Sequence, residues 1–219
     1  MPRLRYYIGG HGLGHASRSC QIINALRRRH PAVAVEVVSD APSWFFDGFL
    51  DSSVPVRRLQ LDLGVLQHDC LEMAEAETLG AWRELQSELP ALIRQEAASL
   101  HTAGVTLVAA DIPAAAFAAA QLAGIPSAGV SNFSWDWIYE GLSERHPGFG
   151  PLAEALRRDY ARADRLLRLP FHADLPAFAR VEDLPLVARR SRQEAAGTRR
   201  RLGLPDGAKV ALISFGGFG

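Results

Sequence analysis

The chain has 219 residues, of which 48% are hydrophobic, 8% aromatic and 22% charged. These values are typical of a globular protein and exclude a disordered or fibrous chain. The 24 basic and 24 acidic residues cancel, so no net field attracts nucleic acid or an anionic membrane. The apolar run before the first glycines and the interrupted alanine-rich segment 109–123 are too short to span a bilayer, and we expect a cytoplasmic protein without a transmembrane segment.

The sequence alternates between strand, loop and helix patterns. Apolar runs predict strands at residues 4–8, 33–39, 56–61, 105–110, 125–130, 165–169 and 210–214. Apolar residues at helical spacing predict helices at 17–29, 71–100, 113–122, 152–163 and 193–202. Ser17 is the expected N-cap of the first helix, and the second is either one long helix or two helices broken near Pro90. The alternation predicts right-handed crossovers and a Rossmann-like, doubly wound parallel α/β sheet.

The last thirty residues predict the start of a second unit. Residues 1–190 are expected to form one Rossmann-like domain. Residues 191–219 predict a linker helix, a strand and a phosphate-type loop in which Gly216 and Gly217 bind ligand. A buried strand normally leads into a helix, so we expect the chain to be a fragment of a two-domain protein. Its exposed crevice is expected to face a missing C-terminal half or a second copy in a homo-oligomer.

The segment 9–15, GGHGLGH, places four glycines and two histidines between the first strand and the first helix. Glycine lets backbone N–H groups approach an anion, and the dipole of the following helix adds attraction. We therefore interpret Gly10, His11, Gly12, Gly14 and the nearby Arg18 as ligand-binding residues. The alternative is a tight turn that needs glycine only for its dihedral angles.

Other uses of this segment fit less well. Its glycine spacing does not match the G-x-G-x-x-G loop of nicotinamide enzymes, which leaves such an enzyme as a weak alternative. A phosphate loop of the G-x-x-x-x-G-K type is excluded because the single lysine is Lys209. His11 and His15 lie in a loop without an obvious third ligand, so we predict no metal site.

A histidine at the carboxyl edge of a sheet can act as a base if a carboxylate orients its other ring nitrogen. Asp111 ends a predicted buried strand, and neighbouring strand ends converge on the ligand crevice of a doubly wound sheet. We therefore predict His15 as catalytic base and Asp111 as its partner. The alternatives are that His15 packs against the turn and that Asp111 caps the next helix.

A second polar cluster, at residues 131–137, directly follows another strand. Its amide, hydroxyl, carboxyl and indole groups are typical of a sugar or polyol site. Asn132, Ser134 and Asp136 are the candidate ligand-binding residues. The alternative is that Ser134 caps a helix while the two tryptophans pack in the core.

The segment 6–18, YYIGGHGLGHASR, resembles the opening of the N-terminal half of plant L-arabinokinases, which related bacterial stand-alone glycosyltransferases share. The resemblance covers essentially the whole chain. It continues through SDAP at 39–42, LDLG at 61–64, DIP at 111–113, SNFSWD at 131–136, LLRLP at 166–170, PLVARR at 185–190 and SFGG at 214–217.

The resemblance implies a GT-B-type glycosyltransferase scaffold, in which two Rossmann-like halves face each other across a cleft. The N-terminal half generally holds the acceptor and the C-terminal half holds the nucleotide-sugar donor. In related inverting enzymes, a histidine after the first strand is the base and an aspartate orients it, and His15 and Asp111 match those positions. The role of His11 stays open.

The resulting prediction is the acceptor-binding half of an inverting glycosyltransferase. It uses a nucleotide-sugar donor as substrate, a hydroxyl-bearing acceptor and no further cofactor. The fragment alone is expected to be inactive. The alternative is a non-catalytic module that binds a sugar or nucleotide sugar. No small-molecule kinase module is recognisable, so arabinokinase activity is not predicted.

Overall fold

The computed structural model describes residues 1–69, 71–189, 191, 193–205 and 207–213. Within them the strands are β1 (Arg3–Ile8), β2 (Ala34–Ser39), β3 (Val56–Arg57), β4 (Leu107–Asp111), β5 (Ser127–Ser131), β6 (Arg165–Arg168) and β7 (Val181–Asp183). The helices are α1 (Leu13–Arg29), α2 (Ser43–Phe49), α3 (Glu75–Thr102), α4 (Ala114–Ala123), α5 (Trp135–Ser143), α6 (Phe149–Tyr160) and α7 (Ala195–Arg201).

The strands form one sheet in the order β3-β2-β1-β4-β5-β6-β7, and every pairing is parallel. Helices α1 and α2 cover one face, and α3 to α6 cover the other. In β1, Leu4, Tyr6 and Ile8 pack under α1 and α2, while Tyr7 packs on the opposite face. Burial on both faces explains why the central strands read as continuous apolar runs. The predicted doubly wound α/β fold is confirmed.

A partly buried ionic cluster joins the sheet to α3. It consists of Arg5, Glu36, Arg57 and Glu96. Arg5 Nε donates to Glu36 Oε2 at 2.8 Å, and Arg57 Nη2 donates to Glu96 Oε2 at 2.6 Å. The Tyr7 hydroxyl also donates to Glu96 Oε2, at 2.8 Å. Each charge faces an opposite charge, which compensates its desolvation. The cluster fixes β1, from whose carboxyl end the glycine loop leaves.

Several element boundaries differ from the predictions. Helix α1 begins at Leu13 with Gly12 as its N-cap, so the prediction of Ser17 as N-cap is wrong. The φ angle of Gly12 is 71°, a conformation that glycine adopts without strain and that starts the helix directly after the loop. Helix α3 is one helix that continues through Pro90. Strand β3 pairs only over its first two predicted residues.

The sequence did not predict α2 or β7, and it gave α5 only as the alternative in which Ser134 caps a helix. It did predict a strand at 210–214, but residues 210–213 lie in no strand. A strand requires a neighbour, and no part of the described chain pairs with this segment, which leaves Leu212 and Ile213 exposed. Ser214, Gly216 and Gly217 lie outside the described residues. The division into units at 1–190 and 191–219 stays a prediction.

Candidate functional site

The site lies at the carboxyl edge of the two central strands. In the register of β1 and β4, Ile8 pairs with Asp111. The backbone N–H of Gly9 then donates to the Asp111 carbonyl at 2.9 Å. The chain turns at Gly12 into α1, and His15 occupies the first turn of that helix. Parallel pairing therefore brings the glycine loop and the end of β4 together.

His15 and Asp111 form a buried dyad. The Nδ1 atom of His15 lies 2.7 Å from Oδ1 of Asp111. Because a carboxylate accepts hydrogen bonds, this contact assigns the proton to Nδ1 and leaves Nε2 with a free lone pair. The alternative for Asp111, a helix cap, does not apply, since α4 has no side-chain cap and its N-cap is Pro113. The predicted contact is present, and its catalytic role stays a prediction.

Arg18 holds the carboxylate from the other side. Its Nε donates to Asp111 Oδ2 at 2.6 Å and its Nη2 to Oδ1 at 2.5 Å. Its Nη1 donates to Asn132 Oδ1 at 2.7 Å, and the Ser19 hydroxyl donates to Asp111 Oδ2 at 2.9 Å. The guanidinium that was predicted to bind a ligand is thus engaged within the protein. Arg18 is a positioning group for Asp111 in this arrangement.

The charge state of Asp111 follows from these contacts. Burial alone raises the pKa of its carboxyl group, but the neighbouring His15 and Arg18 outweigh that effect and lower the pKa below its ordinary value. Asp111 is therefore ionised at neutral pH. An ionised carboxylate is what the Nδ1–H tautomer of His15 requires.

The glycines of the loop make room for side chains of the protein itself. A Cβ atom on Gly10 would lie 2.1 Å from Oδ1 of Asp40, and one on Gly9 would lie 2.9 Å from Oδ2 of Asp62. Burial, the largest effect, raises the pKa of the Asp40 carboxyl group overall, although the Gly10 backbone lowers it. The N–H of Gly9 is engaged by the Asp111 carbonyl, and the ligand contact of Gly10 stays a prediction. Gly12 and Gly14 face open space instead, so the predicted ligand contact remains open for them.

The His11 side chain packs between Gly64 and Trp135. A Cβ atom on Gly64 would lie 1.9 Å from Cγ of His11, so the imidazole occupies space that only glycine leaves free. The His11 ring meets the Trp135 ring edge-on with centroids 5.3 Å apart. Burial, and secondly the nearby His15, lower the pKa of His11. His11 is thus uncharged at neutral pH.

Asp62 is a site residue that our sequence reasoning did not select. Its carboxyl group is buried, and Oδ2 accepts the indole N–H of Trp135 at 3.1 Å. Burial, and secondly the charge of Asp40, raise its pKa to about 7. The only signal in the sequence was its place in the LDLG segment of the family resemblance. The segment follows a very short strand, so periodicity does not locate it at the sheet edge.

The second predicted cluster divides into two parts. Asn132 lies at the site, where it accepts from Arg18. Ser134 and Asp136 are each 1% exposed, and Arg157 of α6 donates to Asp136 at 3.3 Å. Ser134 is thus buried at the start of α5 and Asp136 is buried beside α6, and their binding of a ligand stays a prediction. Ser134 is the N-cap of α5, but its hydroxyl makes no cap hydrogen bond.

Gly216 and Gly217 lie outside the described residues, and their role stays a prediction. Among residues 1–213, leaving aside the undescribed positions, no three His, Cys, Asp or Glu side chains form a group suited to a metal ion. Likewise, no helix in that part of the chain combines the length and apolarity needed to cross a membrane.

The chain is similar to the N-terminal part of a plant enzyme. It is 34% identical over 218 residues to L-arabinokinase of Arabidopsis thaliana. The alignment covers 97% of this chain and 20% of that protein. The resemblance seen in the motifs is confirmed. No protein-family model matches the sequence.

Solved glycosyltransferase structures share the fold. A UDP-glucosyltransferase from Polygonum tinctorium has a TM-score of 0.57 and 15% identity, covering 90% of this chain and 55% of that one. A UGT transferase from Siraitia grosvenorii, solved in complex with UDP, has a TM-score of 0.54 and 15% identity. The match covers 92% of this chain and 55% of that one. The chain thus has the Rossmann-like fold of GT-B glycosyltransferases and spans about half their length.

Proposed function

We propose that this chain is the acceptor-binding half of an inverting glycosyltransferase that uses a nucleotide-sugar donor. The observation that carries the proposal is the buried dyad at the carboxyl edge of the sheet, with Nδ1 of His15 bound to Asp111 at 2.7 Å. The dyad leaves Nε2 as a base, and the sheet belongs to a fold that UDP-glycosyltransferases share.

In this mechanism, the Nε2 lone pair of His15 takes the proton of the acceptor hydroxyl. The acceptor oxygen forms a bond to the anomeric carbon of the donor sugar while the bond from that carbon to the diphosphate breaks. The leaving nucleoside diphosphate takes the electron pair, and attack from the opposite face inverts the configuration. Asp111 stabilises the imidazolium that forms, as a buried carboxylate does for a catalytic histidine.

The donor side of the proposal is supported by the UDP complex of the Siraitia grosvenorii enzyme. Because this chain spans 55% of that enzyme, the proposal assigns most donor contacts to residues outside the described part. Gly12 and Gly14, with open space around them, are the proposed contact points of the N-terminal half. No residue of this chain is proposed to hold a further cofactor.

One observation favours a second candidate, a non-catalytic sugar or nucleotide-sugar binding module. Arg18 already forms two hydrogen bonds to Asp111. A carboxylate paired with a guanidinium stabilises an imidazolium less than a free carboxylate does, since part of its charge is offset. A binding module needs the dyad only for orientation and tolerates this pairing.

The test is sugar transfer by the complete gene product that contains this chain. We expect release of UDP from a UDP-sugar in the presence of a hydroxyl acceptor, and a product with inverted anomeric configuration by NMR. His15→Ala should lower kcat/KM by about 10²- to 10⁴-fold, the usual contribution of a general base, while the donor Kd stays the same. The matched control is His30→Ala at the exposed far end of α1.

Unchanged transfer by the His15→Ala variant would refute the assignment of His15. Donor binding without product, across UDP-sugars and acceptors, would favour the binding module. Product with retained configuration would refute the direct displacement.

A further inference from the structure

A cavity of about 690 Å³ opens beside the glycine loop, between α5 and the residues Val65, Gln67 and Met73. His11, Phe133 and Trp135 form its inner end. The Phe133 and Trp135 rings meet edge-on with centroids 5.2 Å apart. On its other side, the Phe133 ring meets the His15 ring, with the two ring centroids 5.4 Å apart. The cavity therefore ends at the Phe133 ring, whose other side contacts His15 of the dyad, and neither His15 nor Asp111 lines it.

The outer part of the cavity is apolar and exposed. Trp137 and Met73 line it with 45% and 51% of their surface accessible. Large apolar side chains around a concavity mark a ligand-binding surface more often than chance exposure does. Aromatic walls at both the inner and the outer end suit a flat ligand.

The charged residues of the cavity all have the same sign. Glu140 and Glu144 line it, and no lysine or arginine is among the described residues that do. Arg157 donates to Glu140 at 2.7 Å from outside the cavity, whereas Glu144 is exposed. His11 is uncharged at neutral pH, so it does not oppose a cation. Aromatic faces and carboxylates both attract a positive charge, and both repel an anion.

We propose that this cavity binds the acceptor, and that the acceptor is a planar apolar compound with a positively charged amine. Its hydroxyl lies at the inner end, towards His15, and its amine at the Glu144 end. The inference rests on the proposed function only in naming the ligand an acceptor. It replaces the sugar or polyol ligand expected from the polar residues at 131–137, because Ser134 and Asp136 are buried away from the cavity.

The test uses three phenols of similar shape and different charge: tyramine, 4-ethylphenol and 4-hydroxyphenylacetate. Their dissociation constants are measured by NMR titration of the full chain at neutral pH. We expect tyramine to bind about fivefold more tightly than 4-ethylphenol, which corresponds to a cation–π contact at a partly exposed site. The anionic 4-hydroxyphenylacetate should bind most weakly. Equal constants for the three phenols, or tightest binding of the anion, would overturn the proposal.

Two variants test the location. Gly141→Phe places a ring in the cavity from α5, where a Cβ atom meets open space, and should abolish binding of tyramine and 4-ethylphenol. Gly80→Phe is the matched control, because Gly80 is also an exposed helical glycine with open space around its Cβ. Glu144→Gln should reduce the advantage of tyramine to the part that the aromatic faces supply and leave 4-ethylphenol unchanged. Tyramine binding that persists in the Gly141→Phe variant would refute the site.

Failure of this inference is distinguishable from failure of the proposed function. Selective tyramine binding by the complete gene product, without sugar transfer to any hydroxyl compound, refutes the transferase and supports the cavity assignment. Transfer to 4-hydroxyphenylacetate at the rate seen with tyramine supports the transferase and refutes the cavity assignment.

Discussion

Replacing Asp62 by asparagine removes a buried carboxyl group that lies beside the dyad. Asp62 is 3% exposed, and its Oδ2 accepts a hydrogen bond from the Trp135 indole N–H at 3.1 Å. Burial, and secondly the charge of Asp40, raise its pKa from an ordinary 3.8 to about 7. The Asp62→Asn side chain has nearly the same shape and keeps an oxygen that accepts the indole N–H. The substitution therefore tests the cost of the charge with little change in packing.

The sign of the effect follows from proton binding. Because folding raises this pKa, the folded chain keeps a proton that the unfolded chain releases between pH 4 and pH 7. The stability associated with that proton is fully present below about pH 4 and is lost as the pH rises to about 7. Each pH unit costs about 1.4 kcal/mol, so ionising Asp62 costs the folded state about 4 kcal/mol above pH 7.

The assay is urea denaturation of the wild type and the Asp62→Asn variant from pH 4 to pH 8. We expect the free energy of unfolding of the variant to rise relative to the wild type across this range, with any fixed packing difference visible at pH 4. Asp47→Asn, which changes an exposed aspartate of α2, controls for the loss of a surface charge and should give a flat difference. A difference for Asp62→Asn that is also flat would refute the reasoning.

Three further substitutions test the packing and charge of the site. Gly64→Ala should destabilise the fold by about 1–3 kcal/mol, the usual cost of overpacking, because the added methyl group displaces His11. NMR of the His11 imidazole would report the displacement. Gly80→Ala is the control and should not destabilise the fold, because its Cβ atom meets open space. Glu96→Ala should cost about 1–3 kcal/mol in urea denaturation because the Tyr7 hydroxyl and Arg57 both lose the carboxylate to which they donate, and a variant as stable as the wild type would contradict this. Arg18→Met should raise the pKa of the dyad carboxyl, so its loss of stability should be larger at pH 8 than at pH 4; the opposite trend would show that Arg18 does not hold that carboxylate ionised.

The sheet was predictable because each of its central strands can be recognised from the local sequence alone. Residues 4–8 are apolar apart from Arg5 and residues 105–110 are apolar apart from Thr106, and the parallel topology follows from the alternation of such runs with helices. Helix α5 was given only as an alternative because its sequence, WDWIYEGLS, contains a glycine and bulky aromatic residues instead of strong helix formers. Strand β7 is three exposed residues at the edge of the sheet, and its only signal is pairing with β6, which the sequence does not display.

The site was predictable where strand register alone brings residues together. His15 and Asp111 meet because β1 and β4 are neighbours and both positions follow the strands' carboxyl ends. The excess of glycine was visible, but its cause was not, because the atoms that need the space belong to Asp40 and Asp62, some 30 and 50 positions later in the chain. Gly64 likewise leaves space for the side chain of His11, which lies far from it in the sequence. Such contacts depend on loop paths that periodicity does not encode.

The two buried aspartates of the site show how the fold chooses which carboxylate carries a charge. Asp111 and Asp62 are both removed from water, and burial alone raises the pKa of each. Asp111 receives hydrogen bonds from His15, from Arg18 twice and from Ser19, and stays ionised. Among the described residues, Asp62 has one neutral donor, the Trp135 indole, and a nearby carboxylate, and it keeps its proton to about pH 7. Environments that separate the pKa values of neighbouring carboxyl groups are typical of acid–base sites. In this arrangement Arg18 acts on the charge of Asp111, and its predicted contact with a ligand stays a prediction.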